Sequence, residues 1–152
     1  MEILLTINGE KLQVAVHVGD TLLEALRRLG YVGVKHGCED GSCGVCAILF
    51  DGQVIHACIL LAVQAEGHDI TTIEGVGTYD HPHPLQAAFV ASGAVQCGYC
   101  TPAMILSAKA LLDENPHPTE TEIREALSGV LCRCTGYLKP VEAVLSAAQG
   151  GE

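Results

Sequence analysis

The chain has 152 residues, 49% of them hydrophobic, no tryptophan and a formal net charge of −10, and it lacks any basic run, which excludes nucleic acid and anionic membrane surfaces as expected partners. No apolar run approaches the roughly 18 residues that a membrane span needs. Eight cysteines behind an N-terminus without a secretory leader pattern predict a cytoplasmic protein whose cysteines bind metal rather than form disulfides.

Two predicted β-hairpins and one further strand make up most of the first half of the chain. Asn8-Gly9 and Asp51-Gly52 each separate two β-rich runs, and such pairs are the strongest short signal for a tight hairpin turn. The second hairpin places Cys58 on a strand. The five strands are predicted at residues 3–7, 12–16, 47–50, 54–58 and 70–73.

One helix is predicted in the first half and four in the second. Capping boxes begin two of them, at Thr21 and Thr119, where Glu follows three residues later. Pro102 occupies the first turn of another helix. The five helices are predicted at residues 22–29, 85–90, 102–113, 119–127 and 140–148. Strands with one helix, followed by helices alone, predict an α+β sheet domain and a separate helical domain.

The composition changes between these two parts. Residues 75–84 are rich in Gly, Asp, His and Pro and lose hydrophobic periodicity, which is typical of a linker. We therefore predict a domain at residues 1–74, a linker at 75–84 and a domain at 85–152.

The first four cysteines, here the first quartet, have the spacing C-x4-C-x2-C-x11-C. Three ligands in one loop and a distant fourth are the plant-type pattern for a [2Fe–2S] cluster. Glycines alternate with the cysteines of the loop, as expected if the backbone folds closely around an inorganic core with positive φ angles. The predicted ligands are Cys38, Cys43, Cys46 and Cys58, and the glycines are Gly37, Gly41 and Gly44.

The other four cysteines, the second quartet, form two short pairs that each precede a predicted helix start. The partial positive charge and unpaired N–H groups of a helix N-terminus suit an anion. A [2Fe–2S] cluster with four thiolates is doubly negative when oxidised and triply negative when reduced, and Arg133 adds a cation. The sequence therefore predicts a second cluster, with the ligands Cys97, Cys100, Cys132 and Cys134.

Other roles for the cysteines and nearby histidines stay open from the residues alone. The second quartet could bind a tetrahedral zinc ion, because zinc sites use similar cysteine pairs. Cys97 and Cys100 could form a thioredoxin-like redox pair, although the remaining pair would then have no role. Rieske-type ligation by His36 or His56 is disfavoured because both quartets are complete in cysteine, so we interpret these histidines as hydrogen-bond donors or surface residues.

Three motifs occur in a specific order, at residues 38–46 (CEDGSCGVC), 96–102 (QCGYCTP) and 131–137 (LCRCTGY). With them, nearly the whole chain resembles the iron–sulfur subunit of the molybdenum hydroxylase (xanthine oxidase) family. The resemblance implies a β-grasp, plant-type ferredoxin-like domain followed by an all-α four-helix-bundle domain, each holding one [2Fe–2S] cluster.

The resemblance also implies an electron-transfer subunit of a molybdenum-dependent hydroxylase or dehydrogenase, without a catalytic residue of its own. Electrons leave a molybdopterin centre on a large subunit and pass first through the cluster of the second quartet, here the helical cluster. They then pass through the plant-type cluster of the first quartet and reach FAD on a medium subunit. Gln96 matches the glutamine that contacts the pterin; without the resemblance it is a surface amide. The expected assembly is a heterotrimer or its dimer.

A freestanding two-cluster ferredoxin that diffuses between partners is the alternative function. Such a carrier needs only surface charge to meet its partners, whereas this chain adds a second cluster domain with Gln96 beside it, which favours the subunit. Glu39 stands where the family often has Gly. A carboxylate beside an anionic cluster lowers the reduction potential of the cluster unless it is paired or solvated.

Overall fold

The computed structural model describes residues 1–150, and this part of the chain contains five strands and five α-helices. The strands are β1 (Glu2–Ile7), β2 (Glu10–Ala15), β3 (Ala47–Phe50), β4 (Gln53–His56) and β5 (Asp69–Thr71). The helices are α1 (Leu22–Arg28), α2 (Pro84–Ala91), α3 (Thr101–Glu114), α4 (Glu120–Ser128) and α5 (Leu138–Gln149). The last two residues of the predicted domain 85–152 lie outside the described part.

The strands form one sheet in the order β2-β1-β5-β3-β4. β1 pairs antiparallel with β2 and parallel with β5, while β3 pairs antiparallel with β4 and β5. Ile3, Leu5 and Ile7 of β1 are buried, as the two-residue period of a strand requires. They share a hydrophobic core with Leu22 and Leu26 of α1. The mixed sheet with its helix confirms the predicted ferredoxin-like domain.

Both predicted hairpin turns are present. Asn8 and Gly9 have φ angles of 52° and 83°, and Asp51 and Gly52 have φ angles of 50° and 82°. A two-residue type I′ turn needs positive φ at both central positions, and Asn, Asp and Gly adopt it at the lowest cost.

Cys58 does not lie on a strand, so this prediction is wrong. β4 ends at His56, and the Ile59 N–H donates to the His56 carbonyl at 3.3 Å, which closes a turn around the cysteine. The Ala57 N–H donates to the Cys46 carbonyl at 3.3 Å, so the turn begins beside another predicted ligand. The strand was predicted too long because the apolar residues of its sequence pattern continue into this turn.

Capping boxes begin α1 and α4, as predicted. The Thr21 hydroxyl accepts the Glu24 N–H at 3.2 Å, and the Glu24 carboxylate accepts the Thr21 N–H at 2.8 Å. Thr119 and Glu122 repeat this arrangement at 3.3 and 2.6 Å. At α2 the sequence pattern did not indicate a cap, and there the His83 ring accepts a backbone N–H of the first turn.

The four later helices enclose a second hydrophobic core. Phe89, Met104, Ile123 and Val144, one from each helix, are almost completely buried. This arrangement confirms the predicted helical domain, although α5 begins at Leu138, slightly earlier than predicted. No helix within residues 1–150 has the length and apolar character needed to cross a membrane.

The two cores meet where the loop before β3 packs against the segment between α4 and α5. Cys43 and Val45 come from the sheet domain but belong to the helical core. The Leu131 N–H donates to the Cys43 carbonyl at 2.8 Å. Gly44 has a φ of 70°, and a Cβ atom there would overlap the Gly129 carbonyl oxygen. The two parts are therefore held close together by backbone contacts.

Gly44→Ala should destabilise the chain more than Gly52→Ala. Both glycines have positive φ, which costs alanine about 1–2 kcal/mol. A methyl group at Gly52 would meet nothing within 4 Å, whereas at Gly44 it would collide with backbone and add about 1–3 kcal/mol. Chemical denaturation at equal iron content measures the two unfolding free energies, and equal losses would contradict the close contact.

Candidate iron–sulfur centres

The first quartet occupies two adjacent loops. Cys38, Cys43 and Cys46 lie between α1 and β3, and Cys58 follows β4. The structure brings the side chains close enough to affect one another's ionisation, and the neighbours form two pairs, Cys38 with Cys43 and Cys46 with Cys58. Cys43 and Cys46 are buried, and the other two are half-buried.

Glycines let the first loop close around these side chains. Gly41 and Gly44 have φ angles of 78° and 70°, which residues with a side chain rarely adopt. Gly37 is required for space, because a Cβ atom there would overlap the Val45 side chain and lie 3.1 Å from the Cys43 sulfur. Larger residues would fill the space around the thiols, which fits a loop that encloses an inorganic core.

Burial opposes the ionisation of two thiols in the first quartet. It raises the pKa of Cys58 to about 11 and also raises the pKa of Cys43. A hydrogen bond from the Cys43 backbone instead lowers the pKa of Cys38. Thiolates are the form that binds metal, so iron binding here must displace protons, and the positive charge of iron offsets the cost of burying thiolates.

The second quartet also forms two pairs. Cys100 is the N-cap of α3, and Cys97 lies in the turn before it, while Cys132 and Cys134 lie between α4 and α5. The sulfurs of Cys97 and Cys134 are 3.5 Å apart, and both residues are exposed; we call them the outer pair. Cys100 is buried, and the half-buried Cys132 is the thiol that affects its ionisation most; we call them the inner pair.

Cys134 does not directly precede a helix, so the prediction that each cysteine pair lies at a helix start is wrong for Cys132 and Cys134. α5 begins only at Leu138. Tyr137 precedes it with a φ of 67°, a left-handed conformation that turns the chain into the helix without a side-chain cap. A helix N-terminus therefore lies directly at Cys100 but not at Cys134.

A hydrogen-bond network that sequence reasoning missed surrounds Cys132. Thr135 Oγ1 donates to the Cys132 sulfur at 3.1 Å, and the Thr135 N–H lies 3.5 Å from the same sulfur. The Tyr137 hydroxyl accepts the Cys132 N–H at 2.9 Å, and the Tyr137 N–H donates to the Thr135 hydroxyl at 3.2 Å. Burial opposes ionisation of Cys132, but hydrogen bonds from Thr135, the Cys134 backbone and Cys100 together outweigh burial and lower its pKa. Burial raises the pKa of Cys100 to about 12.

The thiols are arranged as pairs rather than around single points. Among residues 1–150, no three His, Cys, Asp or Glu side chains form a group that could hold one metal ion. A zinc ion needs four ligands around one point, whereas a [2Fe–2S] core has two irons that share four cysteine thiolates. The donor set and its pairing therefore fit a two-iron cluster at both quartets.

A cavity of about 220 Å³ lies between the two quartets. Cys43 of the first quartet and all four cysteines of the second line it. Two hydrogen bonds connect the two parts of the chain here. The Leu131 N–H donates to the Cys43 carbonyl at 2.8 Å, and the Tyr99 hydroxyl donates to the His36 carbonyl at 2.6 Å. The structure thus places the quartets next to each other.

The remaining candidate residues lie near the quartets, and His56 is half-buried while the others are exposed. Gln96 is exposed and precedes the outer pair. His36 Nε2 lies 3.1 Å from the Glu39 carboxylate, and His56 Nδ1 lies 3.2 Å from the Gly41 carbonyl oxygen. Both histidines thus contact hydrogen-bonding partners, and Glu39 has a neighbour that offsets its negative charge when the imidazole is protonated.

Two family models together match most of the chain. A 2Fe-2S iron-sulfur cluster binding domain matches residues 5–71, and a [2Fe-2S] binding domain matches residues 72–145. The chain therefore has two adjoining [2Fe–2S]-binding domains. The linker at 75–84 and the domain limits that we drew from composition stay predictions.

Individual relatives are similar over nearly the full chain. The nicotinate dehydrogenase small FeS subunit of Eubacterium barkeri is 49% identical over 146 residues, 95% of this chain and 93% of that protein. The structure of quinoline 2-oxidoreductase from Pseudomonas putida 86 matches with a TM-score of 0.94 and 44% identity, covering 98% of this chain and 94% of that chain.

A third relative contains a similar segment within a longer chain. The aldehyde oxidoreductase structure from Desulfovibrio desulfuricans ATCC 27774 matches with a TM-score of 0.94 and 44% identity, covering 97% of this chain and 17% of that chain. The order of the domains, the cysteine pairs and these matches agree with one another. The chain belongs to the iron–sulfur subunits of the molybdenum hydroxylase (xanthine oxidase) family, which transfer electrons.

Proposed function

We propose that the eight cysteines hold two [2Fe–2S] clusters that work in series between a molybdenum centre and a flavin on partner subunits. The observation that carries this proposal is that Cys43 of the first quartet and all four thiols of the second quartet line one cavity. Each pair would hold one iron. The pairs are Cys38 with Cys43, Cys46 with Cys58, Cys97 with Cys134, and Cys100 with Cys132.

When bound, each cluster supplies a one-electron carrier. The residues of this chain hold the thiolates, exclude water from the buried ones and connect the two sites. A direct connection begins at Cys132 and follows the backbone to the Leu131 N–H. It then crosses the 2.8 Å hydrogen bond to the Cys43 carbonyl and continues to the Cys43 sulfur. Covalent bonds and one hydrogen bond thus link a ligand of each quartet.

Exposure at the second quartet supports an entry point for electrons. The outer pair and Gln96 are exposed, and the apolar residues Val95, Leu131 and Leu138, which are close to these cysteines in sequence, are 39%, 55% and 55% exposed. Apolar surface rimmed by polar residues is typical of a protein–protein interface. In the proposed complex the large, molybdopterin-binding subunit covers this surface, and Gln96 contacts the pterin.

The first quartet has an exposed surface of its own. Glu39 and Asp40 are exposed within its loop, and the 69% exposed Ile59 follows Cys58. In the proposed complex this surface receives the FAD-binding medium subunit, to which electrons leave. Entry and exit then lie on different loops of the chain.

The family implies partner subunits, since relatives are named small subunits. We extend this to a heterotrimer, or its dimer, in the cytoplasm. The names of similar proteins refer to nicotinate, quinoline and an aldehyde, although these proteins match almost the whole of this chain. Substrate choice in the proposed complex therefore lies with another subunit.

Purification of the chain at its native concentration should recover a molybdopterin protein and a flavoprotein. Metal analysis of the complex should then find iron and molybdenum together. Recovery of an iron–sulfur monomer alone would favour the alternative, a freestanding two-cluster carrier. A colourless chain with zinc and no iron would contradict both functions.

Cys43→Ser should remove the plant-type cluster, and Cys134→Ser should remove the helical cluster. In either variant, electron flow from substrate to the final acceptor should stop, because the clusters act in series. EPR of the reduced complex identifies the lost cluster, and turnover measures electron flow. Ser42→Ala, in the same loop as Cys43, is the control and should keep both clusters. Full turnover in either cysteine variant would contradict the series arrangement.

Gln96→Ala should leave both clusters intact and slow the reduction of the helical cluster by substrate. The expected decrease is roughly fivefold, because one hydrogen bond contributes about 1 kcal/mol. Rapid-mixing EPR with substrate measures the rate. Gln53→Ala, which alters an exposed glutamine on β4, should not change it. If the Gln96 variant reduced the helical cluster at the wild-type rate, the pterin contact would be contradicted and Gln96 would be only a surface amide.

A further inference from the structure

Thr135 directs its hydroxyl hydrogen to the sulfur of Cys132 in the inner pair. The oxygen lies 3.1 Å from that sulfur. Because the same hydroxyl accepts the Tyr137 N–H at 3.2 Å, its own hydrogen is free to donate to the sulfur. Thr135 is half-buried, so water competes less for this bond than it would at a fully exposed site.

The outer pair has a different environment. Cys97 and Cys134 are exposed, and their sulfurs contact each other at 3.5 Å. The inner pair combines the buried Cys100 with the hydrogen bonds from Thr135. This donor therefore acts on the less exposed side of the quartet, the side that Leu131 connects to the first quartet.

A hydrogen bond to a ligand sulfur affects the two redox states of a cluster unequally. One added electron changes a [2Fe–2S] cluster with four thiolates from doubly to triply negative, and the sulfurs carry part of that charge. A donor at the sulfur therefore stabilises the reduced state more than the oxidised state and raises the reduction potential. Burial has the opposite effect, because a low dielectric disfavours added charge.

We propose that Thr135 tunes the reduction potential of the helical cluster by donating to Cys132, which offsets the burial of the inner pair. Thr135 acts through Cys132 and is therefore a positioning residue rather than a catalytic one. The inference rests on the proposed function, since it requires a [2Fe–2S] cluster at the second quartet. The plant-type cluster in the same molecule provides an internal reference.

Thr135→Val removes the hydroxyl and nearly keeps the shape of the side chain. The assembled complex is titrated with dithionite and redox mediators while EPR follows both reduced clusters, and Cys134→Ser identifies the helical signal. At the potential where the wild-type helical cluster is half reduced, the variant should have about a tenfold lower ratio of reduced to oxidised cluster. This corresponds to a midpoint potential about 59 mV lower for one electron. The plant-type potential should not move.

Two substitutions separate the hydroxyl from packing effects. Thr135→Ser keeps the hydroxyl and should titrate like the wild type. Thr121→Val is the matched control, since Thr121 is exposed on α4, and it should shift neither cluster. An unshifted helical potential in Thr135→Val, or equal shifts in the Val and Ser variants, would overturn the inference.

Thr135→Ala is a second variant without the hydroxyl. The midpoint potential can be measured if the helical cluster is present in either the Val or the Ala variant. If both lost the helical cluster while Thr135→Ser kept it, Thr135 would serve cluster assembly, and the proposed tuning would be wrong. A wild-type second quartet without iron would contradict the proposed function itself. A normal cluster with an unshifted potential would contradict only the role of Thr135.

Discussion

The close backbone contact between the two parts of the chain positions both quartets. Gly44 lies against the Gly129 carbonyl, and the neighbouring Cys43 carbonyl accepts the Leu131 N–H at 2.8 Å. Rotamer changes cannot lengthen a contact between backbones, so the separation of the quartets is fixed by the fold. Glycine at position 44 is the residue that permits this approach, because it combines positive φ with the absence of a side chain.

Two opposing requirements act on the thiols. Burial keeps water away from the sites but raises the pKa of Cys58 and Cys100, so their thiolates are costly without a cation. Hydrogen bonds reduce this cost at other positions, from the Cys43 backbone to Cys38 and from Thr135 to Cys132. Iron would supply the remaining positive charge, so cluster binding and the folding of these loops are expected to be coupled.

Local signals predicted most of the fold, because hairpin turns and capping boxes such as that at Thr21 depend on residues close in sequence. The cysteine spacing likewise indicated all eight thiols that the structure brings together in pairs. Cys58 lies outside the strand predicted for it because the chain turns after His56, and the hydrophobic pattern does not specify that turn. The bond from Tyr99 to His36 joins residues 63 positions apart, so no local pattern contains it. For Thr135 the only sequence signal was its position directly after the last cysteine.

The distribution of exposed groups favours a subunit over a diffusing carrier. A carrier can receive and deliver electrons through one exposed face, because it leaves each partner before it meets the next. This chain has exposed thiols at Cys97 and Cys134, a separate exposed loop around Cys38, and an internal connection between the two quartets. Such an arrangement is useful when both faces are occupied at once. The internal connection would then replace diffusion, and the backbone contact at Gly44 sets its length.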